Sequence, residues 1–493
     1  MLNEQATSSV SQPVRRASEF QPRRPQTPHA DIRQHVSEVL DIVTEQKPSD
    51  DLTHAQELGA SVSVDNLLMI YEGKLLTDSE TAYEQLDALL APQSRFALFR
   101  KNRDNDDAPH RIYVMDGRVE PIEGNPWLNL GLLVATLLSV FLVGSVQWIG
   151  YALEQNPALQ ITDLAHLTGF GIFPRLSTFW RGYPYALSIM AILGAHELGH
   201  YFAARRHGHA VSLPYFIPMP ISFLGTMGAV IRSREPMRNR KILMDIGAAG
   251  PIAGFIFAVP ILLIGIATSP VRQFEPDQNY IQEGNSLLYV TSKLLIKGEV
   301  LPNEREDISI NQMAFAGWLG LLVTALNLIP VGQLDGGHVL YSLFGGRARQ
   351  AYIPVMLAMV GLVFLAPQVW FIWLILLFFL GRIYAPPLDD ITPLDAPRRR
   401  IAYLTIAIFV LVFVPRPLET VTTPADPSSP PADQQIAQQL PLLPSGFSLG
   451  AETPLVAPLS ADDSQPQSDI TQGQPRAELN QWQFTLAEGS APY

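Results

Sequence analysis

Two histidines and a glutamate stand together near the end of an apolar stretch of this 493-residue sequence. The segment GAHELGHYFAARRHG places His196 and His200 four residues apart, so on a helix both imidazoles leave from the same face. This spacing suits two ligands of one tetrahedral zinc ion. Glu197, beside them, can reach a water molecule at the metal without binding the metal itself. The pattern predicts a catalytic zinc site within an apolar helix, where polar side chains are costly unless they serve a site.

A catalytic zinc site keeps three protein ligands and one open position, so a third ligand is needed. The sequence has no cysteine, which leaves histidine and the carboxylates as candidates. Asp335 is favoured, because it lies in LNLIPVGQLDGGHVLY directly after another apolar stretch. Asp245 is the main rival, although it closely follows a run of basic residues with which it can pair. His338 is a third possibility, and a supporting role for it is the simpler interpretation.

The charge of the chain is unevenly distributed. The formal net charge is −12, and only 16% of the residues are charged, which is low for a soluble protein. Residues 1–124 hold 13 basic and 21 acidic residues, and residues 416–493 hold 2 and 9. Residues 125–415, with 19 basic and 16 acidic residues, contain the long apolar runs. This distribution argues against a nucleic-acid-binding protein and points to a membrane-embedded middle region.

The middle region has about seven apolar segments that are long enough, or nearly so, to cross about 30 Å of hydrocarbon. The predicted fold class is therefore mainly α, a polytopic membrane helix bundle of about six to eight transmembrane helices. A further apolar stretch, 164–180, is interrupted by Gly and Pro and is predicted to be interfacial. The predicted spans are roughly 127–149, 182–204, 242–267, 313–330, 351–366, 368–385 and 399–415.

Loop charges predict the orientation of this bundle. The loop after the second span is rich in Arg and Lys, whereas residues 269–312 hold four basic and seven acidic residues. The positive-inside rule then places this basic loop, after the second span, and the N-terminal region in the cytosol. The C-terminal tail lies outside if there are seven spans and inside if there are six.

The two flanks differ in kind. Residues 1–30 are predicted to be a disordered tail and residues 31–124 a small soluble α/β domain. In that domain we expect a helix at 31–46, three strands, and a helix at 78–91 capped by Asp78 or Ser79. Residues 125–415 form the predicted metalloprotease domain. Residues 416–493 carry 12 prolines in 78 residues and are predicted to be a disordered acidic tail.

Taken together, HELGH and the later LNLIPVGQLDGG resemble the site-2 protease family of intramembrane zinc metalloproteases. The N-terminal domain and the GQLDGGH sequence are most similar to the cyanobacterial and chloroplast branch. GPIAG, from Gly250 to Gly254, is similar to the family's small-residue motif, and residues 211–234 resemble its membrane-associated β-hairpin. His338 is a departure, since an Arg is common after DGG. The positions that match the family's Asn-Pro…Asp-Gly motif are Asn327, Pro330, Asp335 and Gly336.

The resemblance implies one zinc ion per chain, held by His196, His200 and Asp335. Glu197 is then the general base that takes a proton from the attacking water, and Asn327 donates a hydrogen bond to the oxyanion. The expected function is an intramembrane zinc endopeptidase that cleaves transmembrane segments of membrane proteins in regulated intramembrane proteolysis. The alternative is a non-proteolytic zinc-binding membrane chaperone or transporter.

Partners and location follow from the same resemblance. The expected substrates are transmembrane proteins, such as membrane-tethered regulators already cut by another protease, within the lipid bilayer and without nucleic acid. Unwinding a substrate helix in lipid leaves backbone groups unpaired, and residues 211–231 suit a strand edge that pairs with them. The expected location is integral and multi-pass, in a bacterial plasma or thylakoid membrane or in a chloroplast membrane.

Overall fold

The structure is a computed structural model that describes residues 29–48, 64–118, 124–155, 176–274, 279–303 and 305–422. The chain divides into two units between Asp426 and Pro427, and all described residues belong to the first. Nearly all of the predicted N-terminal tail, most of the predicted C-terminal tail and most of the apolar stretch 164–180 lie outside the described residues.

The first described region is a four-stranded antiparallel sheet with two helices, called here the N-terminal sheet. The strand order is β1-β2-β4-β3. The expected helix cap is confirmed, because Asp78 accepts a hydrogen bond from the Thr81 N–H at 3.1 Å. The elements are α1 (His29–Ser37), β1 (Leu40–Gln46), β2 (Leu67–Leu75), α2 (Ser79–Leu90), β3 (Arg95–Lys101) and β4 (His110–Asp116).

The predicted helix at 31–46 is wrong in its second half. The helix ends at Ser37, and Leu40–Gln46 is a strand that pairs antiparallel with β2. This segment contains the β-branched run Ile42, Val43 and Thr44, which favours a pleated strand once a partner is present. The region is therefore an α-β-β-α-β-β unit with one strand more than the sequence suggested.

The rest of the described chain is mostly helical. Three helical stretches there are long and apolar enough to cross a membrane, namely Pro126–Gln155, Arg240–Thr268 and Asp335–Leu365. The last of these consists of two α-helices joined by a 3-10 helix, Gly345–Ala351. Two shorter helices are also apolar, Gln312–Asn327 and Pro367–Leu380. The predicted count of six to eight spans stays a prediction. The helices are α3 (Pro126–Gln155), α4 (Leu176–Phe179), α5 (Tyr183–Arg206), α6 (Arg240–Thr268), α7 (Leu287–Lys297), α8 (Gln312–Asn327), α9 (Asp335–Phe344), α10 (Tyr352–Leu365), α11 (Pro367–Leu380) and α12 (Ala396–Val412).

Between α5 and α6 the chain forms an antiparallel hairpin of β5 (Tyr215–Met219) and β6 (Gly225–Val230). The hairpin packs against α3, where the Ser139 hydroxyl donates to the Gly225 carbonyl at 2.5 Å. Gly225 has φ +78, and a Cβ there would lie 2.9 Å from the Cα of Val140. Glycine is therefore required both for the turn and for the close approach to α3.

A small layer with its own strand pairs follows α6. β7 (Val271–Gln273) pairs with β9 (Glu306–Ile308), and β8 (Asn279–Glu283) pairs with β10 (Leu418–Thr422), which comes after α12. This layer holds a cluster of four ionisable residues, of which three are buried and Asp307 is half-buried. They are named here the Lys293 cluster: Glu283, Tyr289, Lys293 and Asp307.

Candidate metal centre

Helix α5 carries His196, Glu197 and His200 in the second half of its 24 residues. His196 and Glu197 are buried, and His200 is half-buried. The helix ends with Arg205 and Arg206 in its last turn, where cations interact favourably with the helix dipole. The two imidazoles project from one face, as their i, i+4 spacing predicts, toward α6, α8 and α9.

Asp335 reaches the same place because the chain folds sharply back between α8 and α9. Gly332 has φ +61. A Cβ on Gly336 would lie 2.0 Å from the Leu328 carbonyl oxygen, and one on Gly337 would lie 2.3 Å from the Gly332 carbonyl oxygen. Only glycine permits these close approaches. The DGG sequence therefore packs the start of α9 against the end of α8 and returns Asp335 to the histidines.

The three candidate ligands converge. Asp335 Oδ2 lies 3.3 Å from His196 Nε2 and 3.5 Å from His200 Nε2, and the two Nε2 atoms are 3.2 Å apart. One potential ligand atom from each residue lies within 4.8 Å of the others. Tetrahedral zinc with bonds of about 2.0–2.1 Å separates its ligand atoms by roughly 3.3 Å. The donor set and its spacing therefore fit Zn²⁺.

The hydrogen bond on the far side of His200 fixes the orientation of its ring. His200 Nδ1 lies 2.7 Å from the backbone carbonyl oxygen of Ile246 on α6. A carbonyl oxygen only accepts, so Nδ1 carries the proton and donates it. Nε2 then presents its lone pair to the other ligand atoms, which is the tautomer that a metal requires. The Ile246 carbonyl was missed in the sequence because a backbone acceptor leaves no signature there.

Asn327 and Glu197 are the two predicted site residues that are not metal ligands. The Asn327 side-chain nitrogen lies 3.3 Å from His196 Nε2, so its amide is directed at the place where the ligands meet. Glu197 is 9% exposed and close enough to His200 and Asp335 to interact with both electrostatically. The structure thus brings together all five residues that the sequence singled out for chemistry.

The glycines of GPIAG border the ligands themselves. A Cβ on Gly250 would lie 2.1 Å from His200 Nε2, and one on Gly254 would lie 3.2 Å from His196 Cβ. In sequence, this motif is similar to a small-residue motif. The structure adds that Gly250 leaves the space in which the His200 ring lies. This role depends on the contact between α5 and α6, so the sequence alone could not reveal it.

Neither of the two rival ligands joins the group of converging ligand atoms. Asp245 is 2.8 Å from His207 Nε2 and 2.7 Å from the Arg398 guanidinium of α12. It pairs with these groups rather than with the nearby basic run that the sequence suggested. His338 packs beside Gly247 on α6, where a glycine Cβ would meet it at 2.9 Å. Within the described ranges, the metal-ligating group comprises His196, His200 and Asp335.

An HExxH helix, a carboxylate from a later helix and an apolar surrounding bundle define a metal centre of the metallopeptidase type. Residues 184–367 match the model of peptidase family M50. This match and the relatives described next confirm the predicted resemblance to the site-2 protease family and its chloroplast-type branch.

Three relatives are similar to this chain over different lengths. "Probable zinc metalloprotease EGY2, chloroplastic" of Arabidopsis thaliana is 29% identical over 355 residues, 71% of this chain and 60% of the relative. "Probable zinc metalloprotease EGY1, chloroplastic" of the same plant is 26% identical over 376 residues, 70% of this chain and 66% of the relative. "Probable zinc metallopeptidase EGY3, chloroplastic" is 30% identical over 224 residues, 42% of this chain and 38% of the relative.

The match to the first of these relatives therefore covers 60% of that relative's length. No solved structure matches the chain significantly.

Proposed function

We propose that this protein is an intramembrane zinc endopeptidase that cleaves transmembrane segments of other membrane proteins. One observation carries the proposal: three metal-ligand atoms converge beside a buried glutamate, on helices of an apolar bundle. The match to the peptidase family M50 model and the similarity to zinc metalloprotease relatives support the same activity. A chaperone or transporter needs neither Glu197 nor Asn327 at the ligands.

His196, His200 and Asp335 would hold one zinc ion per chain. When bound, zinc acts as a Lewis acid that makes water more acidic and polarises a carbonyl group. Glu197 accepts the proton of the attacking water and passes it to the leaving amine. Asn327 donates its amide N–H to the oxygen of the scissile carbonyl as negative charge develops there. The Ile246 carbonyl keeps the His200 ring oriented during these steps, in the space that Gly250 leaves for it.

The hairpin of β5 and β6 is the proposed substrate platform. It is an isolated two-stranded sheet, so its edges offer backbone groups to an unwound segment. Three apolar side chains at its tip and along β6 are exposed: Ile221, Phe223 and Met227 are 90%, 51% and 68% accessible. Exposed apolar groups at such a tip suit insertion into lipid. The substrates are then single-pass segments, including membrane-tethered regulators trimmed by another protease.

The path of α12 supports a multi-pass arrangement. At its start Arg398 binds Asp245 in α6, and after its end β10 pairs with β8, which follows α6. α12 therefore runs alongside α6 in the same direction, over about 25 Å for its 17 residues. If both helices cross the membrane, residues 418–422 lie on the opposite side from the N-terminal sheet. If α10 and α11 also cross, one in each direction, there are seven crossings in all: α3, α5, α6, α8, α10, α11 and α12.

Purified full-length protein in liposomes with a single-span substrate tests the proposal. We expect products whose masses place the cut inside the apolar segment, loss of cleavage with a zinc chelator, and recovery on adding Zn²⁺. A cut confined to the soluble flanks would contradict intramembrane cleavage. Cleavage that is indifferent to the chelator would contradict the zinc mechanism, and a zinc-bound chain that cuts no substrate would favour the chaperone or transporter.

Substrate identity needs a separate experiment in cells. A strain in which Glu197→Gln replaces the native protein should accumulate single-pass membrane fragments relative to the wild-type strain. Membrane proteomics of the two strains measures this accumulation directly. Accumulation of soluble-protein fragments alone, or no difference between the strains, would contradict the proposed substrate class. Fractionation of cells that contain the tagged wild-type protein identifies the membrane in which it lies.

A further inference from the structure

The N-terminal sheet does not end at β3. The segment 387–390, between α11 and α12, lies along β3: Phe99 N–H donates to the Leu388 carbonyl at 2.8 Å, and Asp390 N–H donates to the Phe99 carbonyl at 3.1 Å. On its other side the same segment continues to the chain before α6. We call residues 387–390 the connector.

The connector joins the sheet to the residues that lead directly into α6. Leu388 N–H donates to the Met237 carbonyl at 2.8 Å, and Asp389 N–H donates to the Arg238 carbonyl at 2.7 Å. Bridge pairs of Asp389 with Phe99 and with Asn239 make the connector a strand between the two. Asn239 then caps α6 by accepting the Ile242 N–H at 3.0 Å.

The connector is buried and cannot move independently. Asp389 is fully buried and accepts from the backbone N–H groups of Ile391 and Thr392. Leu388 and Ile391 belong to the apolar core of the N-terminal sheet. The buried Arg100 guanidinium donates to the carbonyls of Pro387 and Leu388. Groups with this degree of burial lose their hydrogen bonds if the segment shifts, which is costly.

Side chains make a second link to α6. Glu80 on α2 forms an ion pair with Lys241 on α6 at 2.5 Å, and the Asn239 amide donates to Glu80 at 3.3 Å. Five residues after Lys241, α6 presents the Ile246 carbonyl that orients His200. A helix transmits displacement over little more than one turn almost as a rigid body, so the sheet reaches the metal ligand through one short piece of α6.

We propose that the N-terminal sheet is a positioning element of the metal centre. Its connector strand and the Glu80–Lys241 pair hold the first turn of α6, which in turn holds the Ile246 carbonyl at His200. This inference rests on the proposed function, because it concerns the same site. Loss of an outer hydrogen bond to a metal-ligating histidine weakens metal binding about 10- to 100-fold, so a small shift of Ile246 is measurable as weaker zinc retention.

Charge reversal with rescue tests the proposal on the full-length protein. Glu80→Lys and Lys241→Glu each place like charges at the junction, and the double variant restores an opposite pair. We expect each single variant to lose zinc to a competing chelator at roughly three- to tenfold lower chelator concentration, and the double variant to recover most of the difference. The free concentration of chelator that removes half of the zinc is the measured quantity.

The matched control reverses one charge of an ion pair at the opposite edge of the same sheet. Arg33 on α1 and Glu45 on β1 lie 3.2 Å apart, and β1 is the strand farthest from the connector. Glu45→Arg should leave zinc retention unchanged, even where the melting temperature falls as much as in Glu80→Lys. Unchanged retention in both junction variants, or equal loss in the control, would overturn the proposal.

A second measurement separates this proposal from the proposed function. If the wild-type protein binds no zinc, the proposed function fails, and amide hydrogen exchange across residues 240–250 tests the coupling alone. Faster exchange in the junction variants than in Glu45→Arg supports the positioning role. Equal exchange in all variants overturns it.

Discussion

The metal centre and the Lys293 cluster both bury ionisable groups, but they differ in the source of their positive charge. In the Lys293 cluster the ammonium of Lys293 lies 3.4 Å from an oxygen of Asp307 and 3.6 Å from one of Glu283, and the Tyr289 hydroxyl donates to Glu283 at 2.6 Å. In the metal centre, Asp335 faces two imidazole nitrogens, and no lysine or arginine in the described ranges pairs with it.

This difference leads us to expect a structural role for the Lys293 cluster and a functional role for the metal centre. A buried charge is tolerated when it is paired and hydrogen-bonded, and the Lys293 cluster meets that condition within the chain. At the metal centre, lone pairs and carboxylate oxygens point at one another, with Glu197 buried beside them. Such an arrangement is balanced by a cation from outside the chain. We therefore expect chemistry at the metal centre and a contribution to stability from the Lys293 cluster.

The largest expected effect belongs to Glu197. Glu197→Gln removes the proton acceptor but no ligand, so cleavage should fall about 10²- to 10⁴-fold while zinc content stays at the wild-type value. Initial rates in liposomes and metal analysis of the same preparations measure both quantities. Glu154→Gln, at the exposed end of α3, is the matched control and should retain activity. Wild-type rates in Glu197→Gln would exclude the residue as the base.

The Lys293 cluster should respond through stability. Lys293→Met leaves two carboxylates without their cation and should lower the free energy of unfolding by about 3–5 kcal/mol, with no loss of zinc. Adding Glu283→Gln and Asp307→Asn to that variant should restore most of the loss, since no buried charge then remains unpaired. Denaturation in detergent measures the change. Lys101→Met, at an exposed position, should be nearly neutral, and zinc loss in Lys293→Met would break the contrast between the two clusters.

Gly250 tests how closely the metal ligands are confined. The added methyl group of Gly250→Ala would lie 2.1 Å from His200 Nε2, so the ring must move and zinc affinity should fall about 10- to 100-fold. Gly194→Ala on α5 meets no atom within 4 Å and should leave zinc affinity unchanged. Competition with a chelator measures the zinc affinity of both variants. Equal affinities would show that the His200 ring can move aside without weakening zinc binding.

The smallest expected effect is a pH dependence in the Lys293 cluster. Burial raises the pKa of Glu283 above its ordinary value of 4.5, while Lys293 acts in the opposite direction. The folded state then holds this proton more tightly than the unfolded state, so stability is lost as pH rises from 4.5 through the raised pKa. Glu283→Gln should flatten that slope in denaturation measurements. An unchanged slope would mean that Glu283 does not titrate in this interval.

The local part of the site was predictable, and the part made by tertiary contacts was not. The i, i+4 spacing placed His196 and His200 correctly on one helix face. Choosing Asp335 over Asp245 needed more than spacing, because both are carboxylates near apolar helices, and only the fold shows that Asp245 binds His207 and Arg398. The space at Gly250 and the carbonyl of Ile246 exist only once α5 and α6 are packed.

The fold shows the same division. The capped helix α2 and strands β2 to β4 follow from local patterns. The local pattern predicts helix at Leu40–Gln46, where the structure has a strand, because the pairing partner β2 lies some 30 residues later in the chain. The connector could not be foreseen at all, since it joins β3 to residues almost 290 positions away. Contacts of such sequence separation leave no periodic signal in either segment.

Zinc content per chain tests the central claim most directly. The wild-type protein, Lys293→Met and His196→Ala should be purified identically from zinc-replete cells and analysed by mass spectrometry for metal and by quantitative amino-acid analysis for protein. The account predicts one zinc per chain in the wild type and in Lys293→Met, and almost none in His196→Ala. Zinc that persists in His196→Ala, or that is lost in Lys293→Met alone, would contradict it.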